Sequence, residues 1–168
     1  MKTLKIAFGR PRSKWAVGSY LIRWFEGAPF SHALIRWASD SLDRELVYEA
    51  SHGYVHFMSG QRFDLDEEIV EEYELDYSDA AFTQAVQCCV DYAEAKYGYL
   101  QLFGMALERI TGIRNPFRDG TQTFVCSELV GDVLKLHEGS LIDIDLELAG
   151  PKALRDCVAQ LPGVRRTK

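Results

Sequence analysis

The apolar positions in the first half of the chain recur with the short period of β-strands. Runs rich in branched and aromatic residues are separated by turn-forming sequences such as SDSLD and SHG, which is typical of an antiparallel meander. One amphipathic helix interrupts the strands at residues 13–27, with Ser13 as its N-cap and Gly27 as its end. The predicted strands are residues 4–8, 31–38, 44–51, 53–58 and 68–76.

The second half of the chain has helical spacing instead. Residues 78–98 place Phe82, Val86 and Cys89 on one face, and Gly98 is the predicted end of that helix. Strands followed by helices predict an α+β fold, an antiparallel sheet with helices packed on one face, in a single domain spanning residues 1–168. The helices predicted here are residues 78–98, 99–112, 123–137 and 150–161, with a loop at 113–122.

An acidic stretch runs from Asp64 to Asp76 and includes the last predicted strand. Its charges discourage pairing with another strand, so we predict that residues 68–76 form an edge of the sheet. The stretch holds eight of the 25 acidic residues, which leaves 17 acids against 19 Lys and Arg elsewhere. A basic surface for nucleic acid is therefore not expected, and the short basic sequence RRTK at the C-terminus is predicted to fray.

The apolar content of 47% and the length of 168 residues are those of a chain that folds around its own core. No run approaches the length of a membrane span, and basic residues interrupt the N-terminal sequence where a signal peptide would be apolar. We therefore predict a cytoplasmic protein without an integral membrane segment. A phage or injected protein is the alternative that would give access to substrates outside the cytoplasm.

The four cysteines are predicted to be free thiols. None forms a C-x-x-C pair, and a chain of this length does not depend on disulfides. The four histidines have no spacing to one another or to the cysteines that is typical of zinc ligands, so no metal is predicted. Cys88, Cys89 and Cys157 lie in apolar helical patterns, and we assign them no function.

Cys126 differs because it lies in or near the first turn of its predicted helix, three residues after a suitable N-cap, Thr123. Unpaired N–H groups at that position favour a thiolate and can stabilise an oxyanion formed next to it. The alternative is a packed core cysteine, because Cys126 shares a helical face with Leu129 and Val130. The residue is a candidate nucleophile.

His32 begins an apolar strand and is the candidate base for such a nucleophile. Alternation puts it on the same face as Arg36, which argues against simple core burial. A turn centred near Ser41 places His32 opposite Glu49 or Ala50 on the next strand. Glu49 could then orient the imidazole, although a shift of one residue in register would turn its carboxylate to the other face.

His56 is the rival orienter, or a rival base. A second turn centred at residue 52 places Glu49 opposite Val55 or His56. The alternatives to a catalytic role are a surface or turn-capping position for His32 and an exposed strand carboxylate for Glu49.

Three sequences, SHALI, VYEA and FVCSELV, occur in an order that resembles the circularly permuted NlpC-type, papain-like cysteine hydrolases, relatives of lecithin retinol acyltransferase. The segments SKWAVGSYLIRWFEGAPFSH, KYGYLQLFG and LAGPKALRD are also similar to that family, so the resemblance covers most of the chain. It implies that Cys126 is the nucleophile, His32 the general base and acid, and Glu49 the orienter. Some relatives use a second histidine as orienter, which keeps His56 as an alternative.

The resemblance implies an amidase or peptidase that forms a thioester intermediate and needs no cofactor, with cell-wall peptides as the expected substrate. Two alternatives remain: a lipid acyltransferase or lipid hydrolase with an apolar groove beside Cys126, and a binding module that keeps the fold and buries Cys126. The acidic stretch from Asp64 to Asp76 has no counterpart among the motifs of that family.

Overall fold

A computed structural model describes residues 1–13, 15–51, 53–98, 104, 108, 111–113, 123–137 and 149–168. It confirms the α+β fold. The strands are β1 (Lys2–Pro11), β2 (His32–Ser39), β3 (Arg44–Ser51), β4 (Tyr54–Ser59), β5 (Glu67–Tyr77), β6 (Lys96–Tyr97), β7 (Thr123–Phe124) and β8 (Arg165–Arg166). The helices are α1 (Val17–Glu26), α2 (Gly60–Asp66), α3 (Asp79–Asp91), α4 (Cys126–Leu134) and α5 (Pro151–Val158).

These strands form one sheet in the order β7-β6-β4-β3-β2-β1-β5-β8. The pairings are antiparallel apart from the parallel pair β6 and β7. The predicted meander is present as β2, β3 and β4, and β1 and β5 extend it on the other side. Helices α3, α4 and α5 bury the main core against one face, as predicted.

The opposite face carries a smaller apolar cluster, in which Phe63 of α2 packs on Ala7, Leu34 and Val47. Helix α2 was not predicted from the sequence because it is only seven residues long, too short for a helical period to stand out. Ser59 caps it by accepting a hydrogen bond from the backbone N–H of Arg62. The two faces of the sheet are thus both partly covered.

The prediction that β5 is an edge strand and that the RRTK tail frays was wrong. Strand β8 in that tail pairs with β5, and Arg165 donates to Asp76 at 2.6 Å. The same contact lowers the pKa of the Asp76 carboxyl to about 2. The opposite charges of the tail and β5 therefore attract the chain end to a strand whose charges discourage other partners.

Three predicted helix boundaries were also wrong. Helix α1 begins at Val17, four residues after Ser13, although Gly27 does end it with a φ of 62°. Helix α3 ends at Asp91, well before Gly98, because the backbone of residues 94 and 95 bonds to Val55 of β4. Thr123 is not an N-cap but lies in β7.

Some predictions concern residues outside the described part of the chain. Most of the predicted helix at 99–112 and of the predicted loop at 113–122 belongs to this category. Among the helices that the structure describes, none has both the length and the apolar content needed to cross a membrane.

Candidate active site

His32 is the first residue of β2, and its side chain is buried. Its Nε2 donates a hydrogen bond to Oε2 of Glu49 at 2.8 Å. Glu49 lies on β3 and is almost fully buried. The pair predicted from the hairpin is therefore in contact, and the carboxylate fixes the imidazole ring by one of its nitrogens.

The register that we predicted for this hairpin was wrong by one or two residues. Glu49 lies opposite Leu34, not opposite His32, because a four-residue loop joins Ser39 to Arg44 and centres the turn beyond Ser41. His32 and Glu49 are consequently diagonal neighbours on one face of the sheet, and long side chains reach each other across such a diagonal. The prediction that His32 and Glu49 share a face was correct, and the predicted cross-strand pairing was wrong.

Three side chains interact with the carboxylate of Glu49. Besides His32, its Oε1 accepts from the Ser51 hydroxyl at 2.7 Å and lies 3.3 Å from Nε2 of His56. Burial alone raises the pKa of Glu49, but the bonds from His32, His56 and Ser51 outweigh it and hold the pKa well below its ordinary range. Glu49 is therefore an ionised carboxylate at neutral pH.

His56 lies directly opposite Glu49 on β4, as one of the two predicted registers requires. Its Nδ1 is 3.3 Å from the carbonyl oxygen of Tyr54, and its Nε2 faces Glu49. Both ring nitrogens then face acceptors, an arrangement that favours the imidazolium. The bond to Glu49 is the main cause of the raised pKa of His56, and burial lowers it less.

Cys126 is the first residue of α4, and it packs in the main core cluster. Its thiol lies close enough to His32 to raise the pKa of the imidazole. Because Nε2 of His32 is taken by Glu49, Nδ1 is the ring nitrogen left for the sulfur. The structure thus brings the three predicted residues together, with Glu49 hydrogen-bonded to His32 and Cys126 beside the imidazole.

The start of α4 directs backbone donors to the same place. The Glu128 carboxylate accepts a hydrogen bond from the backbone N–H of Val125 at 2.9 Å, which fixes the backbone at the start of the helix. The next N–H groups have no acceptor within the helix, since the first turn of any helix leaves them unpaired. A developing oxyanion beside Cys126 would meet these donors and the positive end of the helix dipole.

The pKa of His32 is raised well above its ordinary value. Burial lowers it, but the bonds to Cys126 and Glu49 and the negative charge of Glu49 together raise it by more. An imidazole in this position holds a proton more firmly than one in water.

The other three cysteines lie away from this group of residues. Cys89 is buried in the core on α3, where burial raises its pKa. Burial also raises the pKa of Cys88 and Cys157, which are partly exposed. All four cysteines are free, and among the described residues Cys126 alone lies beside a histidine that a carboxylate orients.

Two further residues at this site were not predicted from the sequence, Ser51 and Glu67. Glu67 lies opposite Pro11 of β1, two residues from Gly9, which lies opposite His32, so Glu67 and His32 share one face of the sheet. Simple alternation along β5 puts Glu67 on the opposite face, but an irregularity between Ile69 and Glu71 reverses it. No sequence signal marks that irregularity.

Glu67 Oε2 is buried and has no hydrogen-bond partner among the described residues. Burial is the main cause that raises the pKa of Glu67 to about 7, and the negative charges of Glu49 and Asp66 add to it, whereas His32 opposes it. At neutral pH this carboxyl is therefore poised between its neutral and charged forms.

A Glu67→Gln variant is expected to lose a pH dependence of stability that the native chain has. The folded chain keeps the Glu67 proton up to about pH 7, and the unfolded chain releases it near 4.5, so rising pH in this range destabilises the native protein. Urea denaturation at pH 5, 6, 7 and 8 should show the variant gaining stability relative to wild type with rising pH. In the control Glu68→Gln, whose carboxyl pKa is lowered by Arg10, the difference should stay flat over this range. A flat difference for Glu67→Gln would contradict the assignment.

Among the described residues, no group of three His, Cys, Asp or Glu side chains is arranged to hold a metal ion. Comparison of the chain with models of protein families and with curated proteins gave no match. The function must therefore be argued from the geometry of Cys126, His32 and Glu49.

Proposed function

We propose that the chain is a cysteine hydrolase of amide bonds that works through a thioester intermediate. The observation that carries the proposal is the grouping of the Cys126 thiol, the neighbouring imidazole of His32 and the buried carboxylate of Glu49 that is hydrogen-bonded to it. A nucleophile, a base and a group that orients the base are the three parts that covalent acyl transfer needs. Glu49 is the orienter in this proposal, and His56 acts on Glu49 instead of on the base.

In the first half of the reaction His32 takes the Cys126 proton, and the sulfur attacks the carbonyl carbon of the amide. The carbonyl oxygen becomes an oxyanion beside the N–H groups at the start of α4. The tetrahedral intermediate collapses, the C–N bond breaks, and His32 gives its proton to the departing amine. The products are a free amine and a thioester on Cys126.

The second half returns the protein to its starting state. His32 takes a proton from water, the water oxygen attacks the thioester carbonyl, and the C–S bond breaks. The acyl group leaves as a carboxylic acid, and Cys126 recovers its proton. Glu49 stabilises the imidazolium in both halves without taking the proton itself.

A lipid acyltransferase or lipid hydrolase is the second candidate function. It uses the same residues, with a lipid ester in place of the amide and, for transfer, an alcohol or amine in place of water. The observation in its favour is a group of exposed aromatic and aliphatic side chains on α1, including Tyr20 and Trp24. Helix α1 is hydrogen-bonded to the residue before His32, since the hydroxyl oxygens of Ser19 and Ser31 lie 2.5 Å apart.

Trapping the acyl-enzyme separates these functions. The chain would be mixed with the p-nitrophenyl ester of an N-acetyl dipeptide or with p-nitrophenyl decanoate, quenched in acid and analysed by mass spectrometry. The proposal predicts a peptidyl adduct on Cys126 that is absent in Cys126→Ala and kept in the control Cys88→Ala. A decanoyl adduct alone would favour the lipid reaction. No adduct on Cys126 with either ester would mean a binding module and would contradict both enzymatic functions.

A further inference from the structure

Helix α1 has no buried residue, although its sequence has the apolar stripe of a helix that packs on a partner. Val17, Tyr20, Leu21 and Trp24 are spaced three and four residues apart and share one face. All four are exposed, with Trp24 at 73%, and Trp15 immediately before the helix is 90% exposed. Monomeric proteins seldom leave so many large apolar side chains together in water.

The other side of α1 is attached to the body of the protein. Ser19 bonds to Ser31, and Glu26 accepts the backbone N–H of Lys152 at 2.8 Å. The apolar face therefore points outward on a helix that is held in place.

The sequence that leads into this helix and forms most of it is basic, in a chain whose net charge is -6. The first 25 residues contain six Lys and Arg and no Asp or Glu. Lys5 and Arg10 are paired with carboxylates of neighbouring strands. Arg23 has no ion pair with any described residue and lies 5.7 Å from the ring centre of Tyr20, beside the apolar face. Arg12, in contrast, donates to the backbone carbonyl of Asp64.

We propose that α1, together with Trp15, binds the surface of an anionic lipid bilayer. Trp and Tyr rings are amphipathic and favour the headgroup region, and the aliphatic side chains between them can enter the acyl boundary. Arg23, beside Tyr20, would lie at the level of the lipid phosphates. The net charge of the whole chain does not reveal this basic segment, because the acidic residues lie elsewhere in the sequence.

Charge favours a bilayer over a second copy of the chain. A symmetric dimer formed through α1 would place the same patch on both sides of the interface. Arg23 of one copy would then approach Arg23 of the other, and Glu26, the one acidic residue of α1, is already bonded to the backbone N–H of Lys152. An anionic surface complements the apolar face and the cations together.

Vesicle binding tests this proposal, and it does so independently of the reaction at Cys126. Trp37 is buried at 4% exposure, so a change in tryptophan emission reports on Trp15 and Trp24. Vesicles of phosphatidylcholine with 30% phosphatidylserine should shift the emission to shorter wavelength and sediment with the protein. Pure phosphatidylcholine should give little binding, and 0.5 M salt should weaken binding to the mixed vesicles.

Variants of exposed residues supply matched controls. Trp15→Ser with Trp24→Ser should abolish sedimentation while leaving the thermal unfolding temperature unchanged, because neither ring is buried. Arg23→Gln should weaken binding about fivefold. Leu65→Ser, which changes an exposed apolar residue on α2, should bind as wild type does.

Three results would overturn the proposal. These are absence of binding to the mixed vesicles, equal binding by wild type and the double Trp variant, and a blue shift that grows with protein concentration in the absence of lipid. The last result would show that α1 covers a second copy of the chain.

Discussion

Replacing His32 with alanine should lower amide hydrolysis by about 10²–10⁴-fold, the usual contribution of a general base. The variant keeps Cys126 and the start of α4 but has no group that takes the thiol proton or protonates the departing amine. The rate constant kcat should fall much more than KM changes, because the imidazole acts on the reacting atoms. Steady-state hydrolysis of a peptide p-nitroanilide at pH 7 measures both quantities.

His56→Gln is the control for this prediction. His56 also contacts Glu49, but it lies on the far side of the carboxylate from His32. Its loss should leave most of the activity in place. If His56→Gln lost as much kcat as His32→Ala, the base would be wrongly assigned.

Replacing Glu49 with alanine should cost about 3–5 kcal/mol of the free energy of unfolding, the usual effect of removing one partner from a buried ion pair. His32 would remain buried without its carboxylate, and Ser51 and His56 would lose the same acceptor. Glu49→Gln keeps oxygen and shape but loses the charge, so its effect should be smaller. Urea denaturation of the three proteins gives the free energies, and equal stability of wild type and Glu49→Ala would contradict the geometry.

The pH dependence of that difference follows from the direction of each pKa. The pKa of folded Glu49 is lowered, so its contribution is present above the ordinary glutamate pKa of 4.5 and is lost as pH falls through the folded value. The pKa of folded His32 is raised, so its contribution is complete below 6.5 and is lost as pH rises through the folded value. Wild type should therefore exceed Glu49→Ala most clearly between about pH 5 and 6.5.

The residues of the candidate site were predictable because their positions depend on short-range rules. Alternation along two strands joined by a short turn puts His32 and Glu49 on one face even when the exact pairing is wrong. The helical pattern after Phe124 places Cys126 at the start of α4. The contact between Cys126 and His32 was predictable only from the family resemblance, since 94 residues separate them along the chain.

Other features depend on contacts that no local pattern encodes. The irregularity in β5 turns Glu67 toward His32, and the pairing of β8 with β5 joins segments that are far apart in sequence. The apolar stripe of α1 was visible in the sequence, but the same pattern is typical of a buried helix. The exposure of Trp24 could therefore not be predicted from the sequence pattern and is seen only in the folded structure.

Whether His32 activates the Cys126 thiol is measured most directly by the rate at which iodoacetamide alkylates Cys126, followed by mass spectrometry of the labelled peptides at pH 6 to 8. Cys88 and Cys157 serve as internal references, because burial raises their pKa and no histidine contact is found for them among the described residues. We expect Cys126 to react faster than both references in wild type and to lose this advantage in His32→Ala. If Cys126 reacts no faster than Cys88 and Cys157, or equally fast in His32→Ala, His32 does not activate the thiol and the proposed mechanism is wrong.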